Sequence, residues 1–223
     1  MFRETLSDTF KCIGNHKKRI FQITFAPVTA GLALDSIPVE LSTGWLNLVE
    51  TLVRTFLLTI IAVNVHRIVL LGSDSVPKWG RVKIGKTERR FFLHFLAILL
   101  LSFSSFLFLP WLGYLITLFE LTLVILACRL SLVFPAIAIG QADTFSLAWY
   151  KTEQKTWYMF GIVFAVPLLT ILLTIFSSVL EPPVLPFRII SYLVFIYEVV
   201  AISLAYRKLN AQYEEKKANQ ALS

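Results

Sequence analysis

The segment that most constrains the fold is the apolar stretch of residues 91–139. Glu120 and Arg129 are its only Asp, Glu, Lys or Arg residues, and Pro110-Trp111-Leu112-Gly113 interrupts it once. A helix needs about 20 apolar residues to cross about 30 Å of hydrocarbon, so the stretch has room for two crossings and a turn. It offers no polar face to water and lacks the alternation of a strand. We therefore predict a transmembrane hairpin here.

The composition places the whole chain in the membrane class. It is 57% hydrophobic and 16% charged, with a mean hydropathy of +0.72, whereas soluble domains average about 45–50% apolar and about 25% charged residues. A net charge of +7 could indicate nucleic-acid binding in a soluble domain. Here the basic residues flank hydrophobic segments, where they set membrane orientation. We predict an all-α integral membrane protein with no nucleic-acid partner.

Six apolar segments are predicted to form a six-transmembrane-helix bundle over residues 20–206. The first contains Pro27 and Gly31 and has the shortest apolar run. A polar tail, residues 207–223, is expected to follow the last. The predicted spans cover about residues 20–37, 45–71, 91–109, 114–139, 157–180 and 187–206.

Two amphipathic segments are expected beside the spans. Residues 1–19 carry apolar side chains at helical spacing among lysines and arginines, which predicts a surface helix that lies on lipid or binds a partner protein. Residues 140–156, between spans 4 and 5, combine aromatic side chains with lysines and predict an interfacial helix. The apolar positions of the first segment are Phe2, Leu6, Phe10 and Ile13.

The distribution of Lys and Arg predicts the orientation. These residues concentrate in the N-terminal segment, in the second and fourth connections and in the tail, while the other three connections have none. Lysine and arginine are retained on the cytoplasmic side. Both termini are therefore predicted to be cytoplasmic.

Two pairs of charged residues and one basic loop are the candidate sites. Arg129 and Glu198 lie deep in spans 4 and 6, where an ion costs at least about 2.5–3.5 kcal/mol, so each should face the bundle and they are candidates to pair. Such a pair is either a polar centre that binds an anionic headgroup or couples to protons, or a structural ion pair. Glu50 and Arg54, one helical turn apart, predict a structural ion pair. Asn64 is expected to hydrogen-bond across the bundle.

The second connection is the most basic loop, and its candidate contacts to anionic lipid are Lys83, Lys86, Arg89 and Arg90. From Gly80 to Thr87 it also matches the nucleotide-binding pattern GxxxxGK[ST]. That pattern needs a preceding buried strand in an α/β domain. This match leads directly into a membrane span, so we expect no bound nucleotide.

No catalytic, cofactor or metal motif stands out. Cys12 and Cys128 lie on different kinds of segment, which predicts no disulfide. There is no HExxH, paired-cysteine or GxSxG pattern, and His66 and His94 are expected to make ordinary interfacial contacts. An intramembrane enzyme is a third hypothesis, but a nucleophile with a base is missing from the pattern. We predict no enzymatic activity.

Several short motifs resemble a known group when they are taken together. The sequence HRIVLLG closes one span at residues 66–72 and RLSLVFPA closes another at 129–136, followed by SLAW at 146–149 and Thr156-Trp157. They resemble the YciC-like family of bacterial inner-membrane proteins and the membrane domain found beside some glycerophosphodiester phosphodiesterases. The resemblance implies a six-helix module of the bacterial cytoplasmic membrane with no assigned molecular role. It does not imply phosphodiesterase activity, which belongs to a separate soluble barrel.

The predicted function is that of a non-enzymatic, multi-pass inner-membrane protein. It would interact with membrane lipids, including anionic headgroups, or with a membrane-protein partner through its basic cytoplasmic face. The alternative is a small transporter or channel with a polar centre at Arg129 and Glu198.

Overall fold

The structure is a computed structural model that describes residues 1–35, 44–81, 85–112, 115–141, 145–164 and 184–222, together with positions 168, 172 and 175. Within these residues every regular element is helical. The candidate contact Lys83 lies outside them. So do Pro167, where the sequence predicts a kink in the fifth span, and Glu181-Pro182-Pro183, where it predicts a turn after that span.

Eight α-helices are described in chain order. Helix α7 occupies residues 156–164, and a single 3-10 turn, Ser73–Ser75, follows α2. The other helices are α1 Phe2–Asp35, α2 Gly44–Leu71, α3 Lys86–Leu112, α4 Leu115–Leu130, α5 Val133–Ala138, α6 Phe145–Lys151 and α8 Val184–Leu222.

Three helical stretches in the described residues are long and apolar enough to cross a membrane. They are Gly44–Leu71, Thr117–Ala138 and Leu185–Ala221, with mean hydropathies of 1.8, 2.2 and 2.0. They coincide with the second, fourth and sixth predicted spans. The protein is thus all-helical in its described part and carries membrane-compatible helices, whereas only three of the six predicted spans qualify there.

The other three predicted spans fare differently. Helix α3 covers the whole third span and continues through Pro110 to Leu112, so the proline does not end the helix as the predicted break would require. The fifth span lies mostly outside the described residues. The apolar run of the first span, residues 20–34, is about 15 residues and so about 22 Å of helix, which is short for about 30 Å of hydrocarbon.

Helix α1 merges two segments that the sequence separates. No break occurs near residue 19, and the Arg19 side chain hydrogen-bonds the carbonyls of Ser73 and Val76. Phe2, Leu6 and Ile13 pack against the hydrophobic core, and only Phe10 of the predicted apolar face is 68% exposed. The surface that we expected to lie on lipid therefore packs mainly against the chain's own bundle.

Helix α8 likewise continues past the predicted end of its span and includes the residues that the sequence describes as a polar tail. This extension contacts the N-terminal part of α1. Lys208 Nζ lies 2.8 Å from Asp8 Oδ2 and 3.3 Å from Thr5 Oγ1. The hydrogen bond from Lys208 lowers the pKa of the Asp8 carboxyl. The two chain ends are thereby joined at one end of the bundle.

Helix α2 is central, packing against α1, α3, α5 and α8. From Thr59 to His66 every residue is buried, a pattern of a helix surrounded by others. The first half of α2 instead exposes large apolar side chains, as do parts of α3, α4 and α8. In a membrane such a surface faces lipid. It includes Trp45, Leu48, Leu52, Leu99, Leu100, Leu115, Leu118, Leu185 and Leu193.

Asn64 in α2 holds the middle of the basic connection. Its Oδ1 accepts a hydrogen bond from the Arg81 amide at 2.9 Å, and its Nδ2 donates to the Arg81 carbonyl at 3.2 Å. Gly80 turns the chain with φ +83° and lies against the Ile23 backbone, where a side chain would crowd. The predicted bond of Asn64 to another part of the chain is thus made to loop backbone. We call the end of the bundle that holds this loop and the Asp8–Lys208 pair the basic end.

Glycines in α1 allow a test of its packing against α8. A Cβ at Gly31 would lie 1.9 Å from Tyr192 Oη, whereas a Cβ at Gly14 meets nothing within 4 Å. Tyr192 is largely buried, so Gly31→Ala should force it to shift and lower the free energy of unfolding by about 1–3 kcal/mol. Gly14→Ala is the matched control and should stabilise by up to about 1 kcal/mol. Thermal unfolding of both variants in detergent measures the difference, and equal stability would refute this packing.

Candidate functional site

A partly open cavity of about 170 Å³ lies where the helices converge. Its described lining is largely apolar, with His66, Ser131 and Glu198 as the polar residues. The Ser131 hydroxyl already donates to the Cys128 carbonyl at 2.8 Å. The apolar lining residues are Ala62, Phe91, Phe95, Ile98, Ala127, Phe134, Val163, Phe195, Val199 and Ile202.

His66 is fixed at the contact between α2 and α8. It is 2% exposed, and its Nδ1 lies 2.7 Å from Ser203 Oγ. The Ser203 hydroxyl donates its hydrogen to the Val199 carbonyl at 2.8 Å, so its oxygen accepts from Nδ1–H. With Nδ1 as the donor, the neutral form of the ring carries its lone pair on Nε2. Nε2 makes no hydrogen bond to any described residue.

The buried part of α8 begins about two helical turns before Glu198, and Glu198 lines the same cavity. Its carboxylate forms neither an ion pair nor a hydrogen bond with any part of the chain that the structure describes. A carboxylate left without a partner in apolar surroundings is costly and marks a functional candidate. The cavity thus offers two hydrogen-bond acceptors, Glu198 and Nε2 of His66, in an aromatic wall.

Two kinds of chemistry fit this arrangement. The acceptors could hold the polar end of a small amphipathic molecule whose apolar part rests on the phenylalanines, or they could exchange a proton with it. Among the residues described, no group of three His, Cys, Asp or Glu side chains could hold a metal. Cys12 and Cys128 are both free thiols, and burial raises the pKa of Cys12.

The structure does not bring Arg129 and Glu198 together. Arg129 Nε donates to Thr152 Oγ1 at 3.1 Å and a terminal nitrogen donates to the Trp149 carbonyl at 2.7 Å. Its guanidinium also lies 3.3 Å from the centre of the Trp149 ring. The physical reason is position, since α4 ends at Leu130 and α6 folds back beside this end.

Arg129 therefore stabilises the end of a helix and does not line the cavity. Trp149 lies in the last turn of α6, where backbone carbonyls lack helical partners and favour a cation. The planar guanidinium can donate to such a carbonyl while it stacks on an indole ring. This contact ties α6, within the predicted interfacial segment, to the apolar helix α4.

The predicted lipid contacts at the start of α3 are available for binding. Lys86, Arg89 and Arg90 are exposed and form no ion pair with any described residue. Glu88 between them is buried, and its Oε2 accepts from the Gly85 amide at 2.9 Å. A carboxylate thus occupies the helix-start amide that a phosphate would use in the GxxxxGK[ST] match.

Glu50 and Arg54 are brought together as the spacing suggests, with Glu50 Oε1 2.7 Å from an Arg54 nitrogen. Both side chains are only about one-third exposed or less. Successive turns of α2 place them side by side.

His66 is the residue that sequence reasoning misplaced. We expected an interfacial histidine with ordinary contacts, because it lies next to Arg67 near the end of a span. Its helix is surrounded by others at that level, so the ring is buried instead. The sequence does contain a polar partner for His66 in another span, Ser203. No motif distinguishes this serine from the others, so the pairing could not be read from the sequence.

A double-mutant cycle tests the separation of Arg129 from Glu198. Because the two side chains have different neighbours, Arg129→Gln and Glu198→Gln should be additive in unfolding free energy within about 0.5 kcal/mol. Arg129→Gln and Thr152→Val share a hydrogen bond and should not be additive. A coupling of several kcal/mol between Arg129 and Glu198 would show that they pair after all.

Comparison of the chain with protein-family models, curated proteins and solved structures finds no match.

Proposed function

We propose that this protein is a non-enzymatic, six-span module of the bacterial inner membrane. In this proposal both termini are cytoplasmic and the basic end of the bundle binds anionic lipid headgroups. The short first span crosses with help from its flanking residues, and α3 supplies the third. The resemblance to the YciC-like group supports the bacterial membrane, and the alternation of basic connections supports the orientation.

The observation that supports the lipid role is that some basic side chains at this end are bonded within the protein and others are not. Arg19 and Arg207 donate hydrogen bonds to backbone carbonyls of residues 69–76, and Lys208 pairs with Asp8. Lys86, Arg89 and Arg90, by contrast, cluster within five residues at the start of α3, are exposed and form no ion pair with any described residue. Anionic headgroups attract such residues with about 1 kcal/mol each.

Lipid retention tests this role. Wild type and the variant Lys86→Gln/Arg89→Gln/Arg90→Gln are purified from membranes of phosphatidylcholine and phosphatidylglycerol, and bound lipid is counted by native mass spectrometry. Wild type should be enriched in phosphatidylglycerol, because its free cations attract the anionic headgroup. The variant should lose most of that enrichment.

Raising the salt concentration serves as the control, since it should reduce the enrichment of wild type by screening. Retention of phosphatidylglycerol by the variant at the wild-type level would contradict the proposal.

A second candidate function, a small transporter or channel, draws support from the central cavity. Its polar centre would be Glu198 with His66, because Arg129 lies elsewhere. Intramembrane carboxylates with unpaired acceptors are common along ion and proton paths.

This candidate predicts a flux that depends on Glu198. In proteoliposomes loaded with a pH-sensitive dye, wild type should carry protons down an imposed gradient, and Glu198→Gln should reduce the rate at least about tenfold because it removes the titrating group. Arg129→Gln is the matched control and should retain transport. Identical dye responses from wild type, Glu198→Gln and empty liposomes would exclude proton transport.

A further inference from the structure

A second feature of the basic end is a groove between the segment from α6 to α7 and the last turns of α8. It measures about 460 Å³, within the range of about 300–1,000 Å³ that is typical of ligand sites. One wall comprises residues 150–155 and the other residues 209–220, which are far apart in sequence. Gln154 adopts φ 61° at the turn that shapes the first wall.

The groove is strongly positive. Lys151, Lys155, Lys216 and Lys217 line it, against Glu153 as the one acidic residue in its described lining. Lys155, Lys216 and Lys217 form no ion pair with any described residue. Three like charges that form no ion pair within the described residues converge here from the turn after α6 and from α8, which is unfavourable unless an anion neutralises them.

Lys151 forms the floor of the groove and is held in place by its neighbours. It is only 7% exposed, and its ammonium lies 5.2 Å from the Tyr206 ring centre and 5.9 Å from that of Tyr213. The two rings hold a cation below the other three lysines. Tyr213 and Tyr150 also line the groove, so hydroxyl donors accompany the charges.

The neighbouring surface fits the headgroup level of a membrane. Trp149 is 41% exposed, Tyr150 60% and Trp157 80%, all on the segment that forms the first wall. Exposed tryptophan and tyrosine side chains favour the boundary between lipid and water.

We propose that this groove binds a phosphate monoester. A diester headgroup carries one negative charge and would leave most of the lysine charge uncompensated, whereas a monoester carries about 1.5 to 2 at neutral pH and three acceptor oxygens. Lysine binds phosphate as a point charge and needs no bidentate geometry. A phosphatidic acid headgroup and a soluble phosphate ester share this chemistry. The site is separate from Lys86, Arg89 and Arg90, so it does not depend on their role.

Calorimetric titration of the full chain in a nonionic detergent tests the groove. The probes are short-chain phosphatidic acid, glycerol 3-phosphate and, as the zwitterionic control, short-chain phosphatidylcholine. The variant is Lys155→Gln/Lys216→Gln/Lys217→Gln, and Lys11→Gln/Lys17→Gln/Lys18→Gln removes the same charge from exposed lysines of α1 as a matched control. Circular dichroism and gel filtration establish that both variants are folded. Lys216→Gln/Lys217→Gln replaces the triple variant if the latter does not fold.

The groove variant should bind phosphatidic acid about a hundredfold more weakly, at about fivefold for each lysine lost, while the control changes less than about fivefold. Equal binding of glycerol 3-phosphate identifies the phosphate ester alone as the ligand, and binding of phosphatidic acid only identifies a lipid. An unchanged groove variant, equal losses in both variants or equally tight phosphatidylcholine binding would overturn the site. The lipid role of the α3 cluster fails separately, when its own variant retains phosphatidylglycerol.

Discussion

The contact of α2 with α8 through His66 and Ser203 is the interaction on which the rest of the structure depends. In an apolar bundle each polar group must find its partner inside the protein, since neither lipid nor a packed core provides one. The hydroxyl of Ser203 accepts from His66 while it donates to its own helix. Both side chains are buried, and that chain of bonds sets the register between α2 and α8. The cavity beside it exists because both helices are fixed there.

The same rule accounts for the difference between the two ends of the molecule. At the basic end, buried side chains such as Asn64 and Thr59 are bonded to backbone, and arginines from α8 and α1 donate to carbonyls in the last turn of α2 and just after it. Toward the other end the helices expose leucines and a tryptophan instead. Polar contacts thus concentrate where the chain meets water, and apolar surface remains where it meets lipid. Both proposed anion sites and the cavity lie toward the polar side of this division.

Basic residues illustrate why sequence patterns only partly predict sites. Arg129 sits in an apolar stretch, and a charge in such a stretch indicates a partner but does not identify it. The structure supplies Trp149 and Thr152, because α6 folds back beside the end of α4. Similarly, the helical spacing of Phe2, Leu6 and Ile13 predicts an amphipathic face but not its neighbour. That neighbour is the bundle, since α8 extends beyond its apolar part and offers Lys208 to Asp8.

Residue pattern by itself determined the class of this protein, the approximate position of its apolar helices and the local pair Glu50–Arg54. These depend on composition and on spacing within one helix, which a sequence displays directly. Only the tertiary structure decided that Arg129 does not pair with Glu198, which has no partner among the described residues, that His66 is buried, and that lysines from residues 151–155 and 216–217 share one groove. Such neighbours are separated by 60 residues or more along the chain, and their approach depends on how helices pack, which periodicity within each helix does not specify.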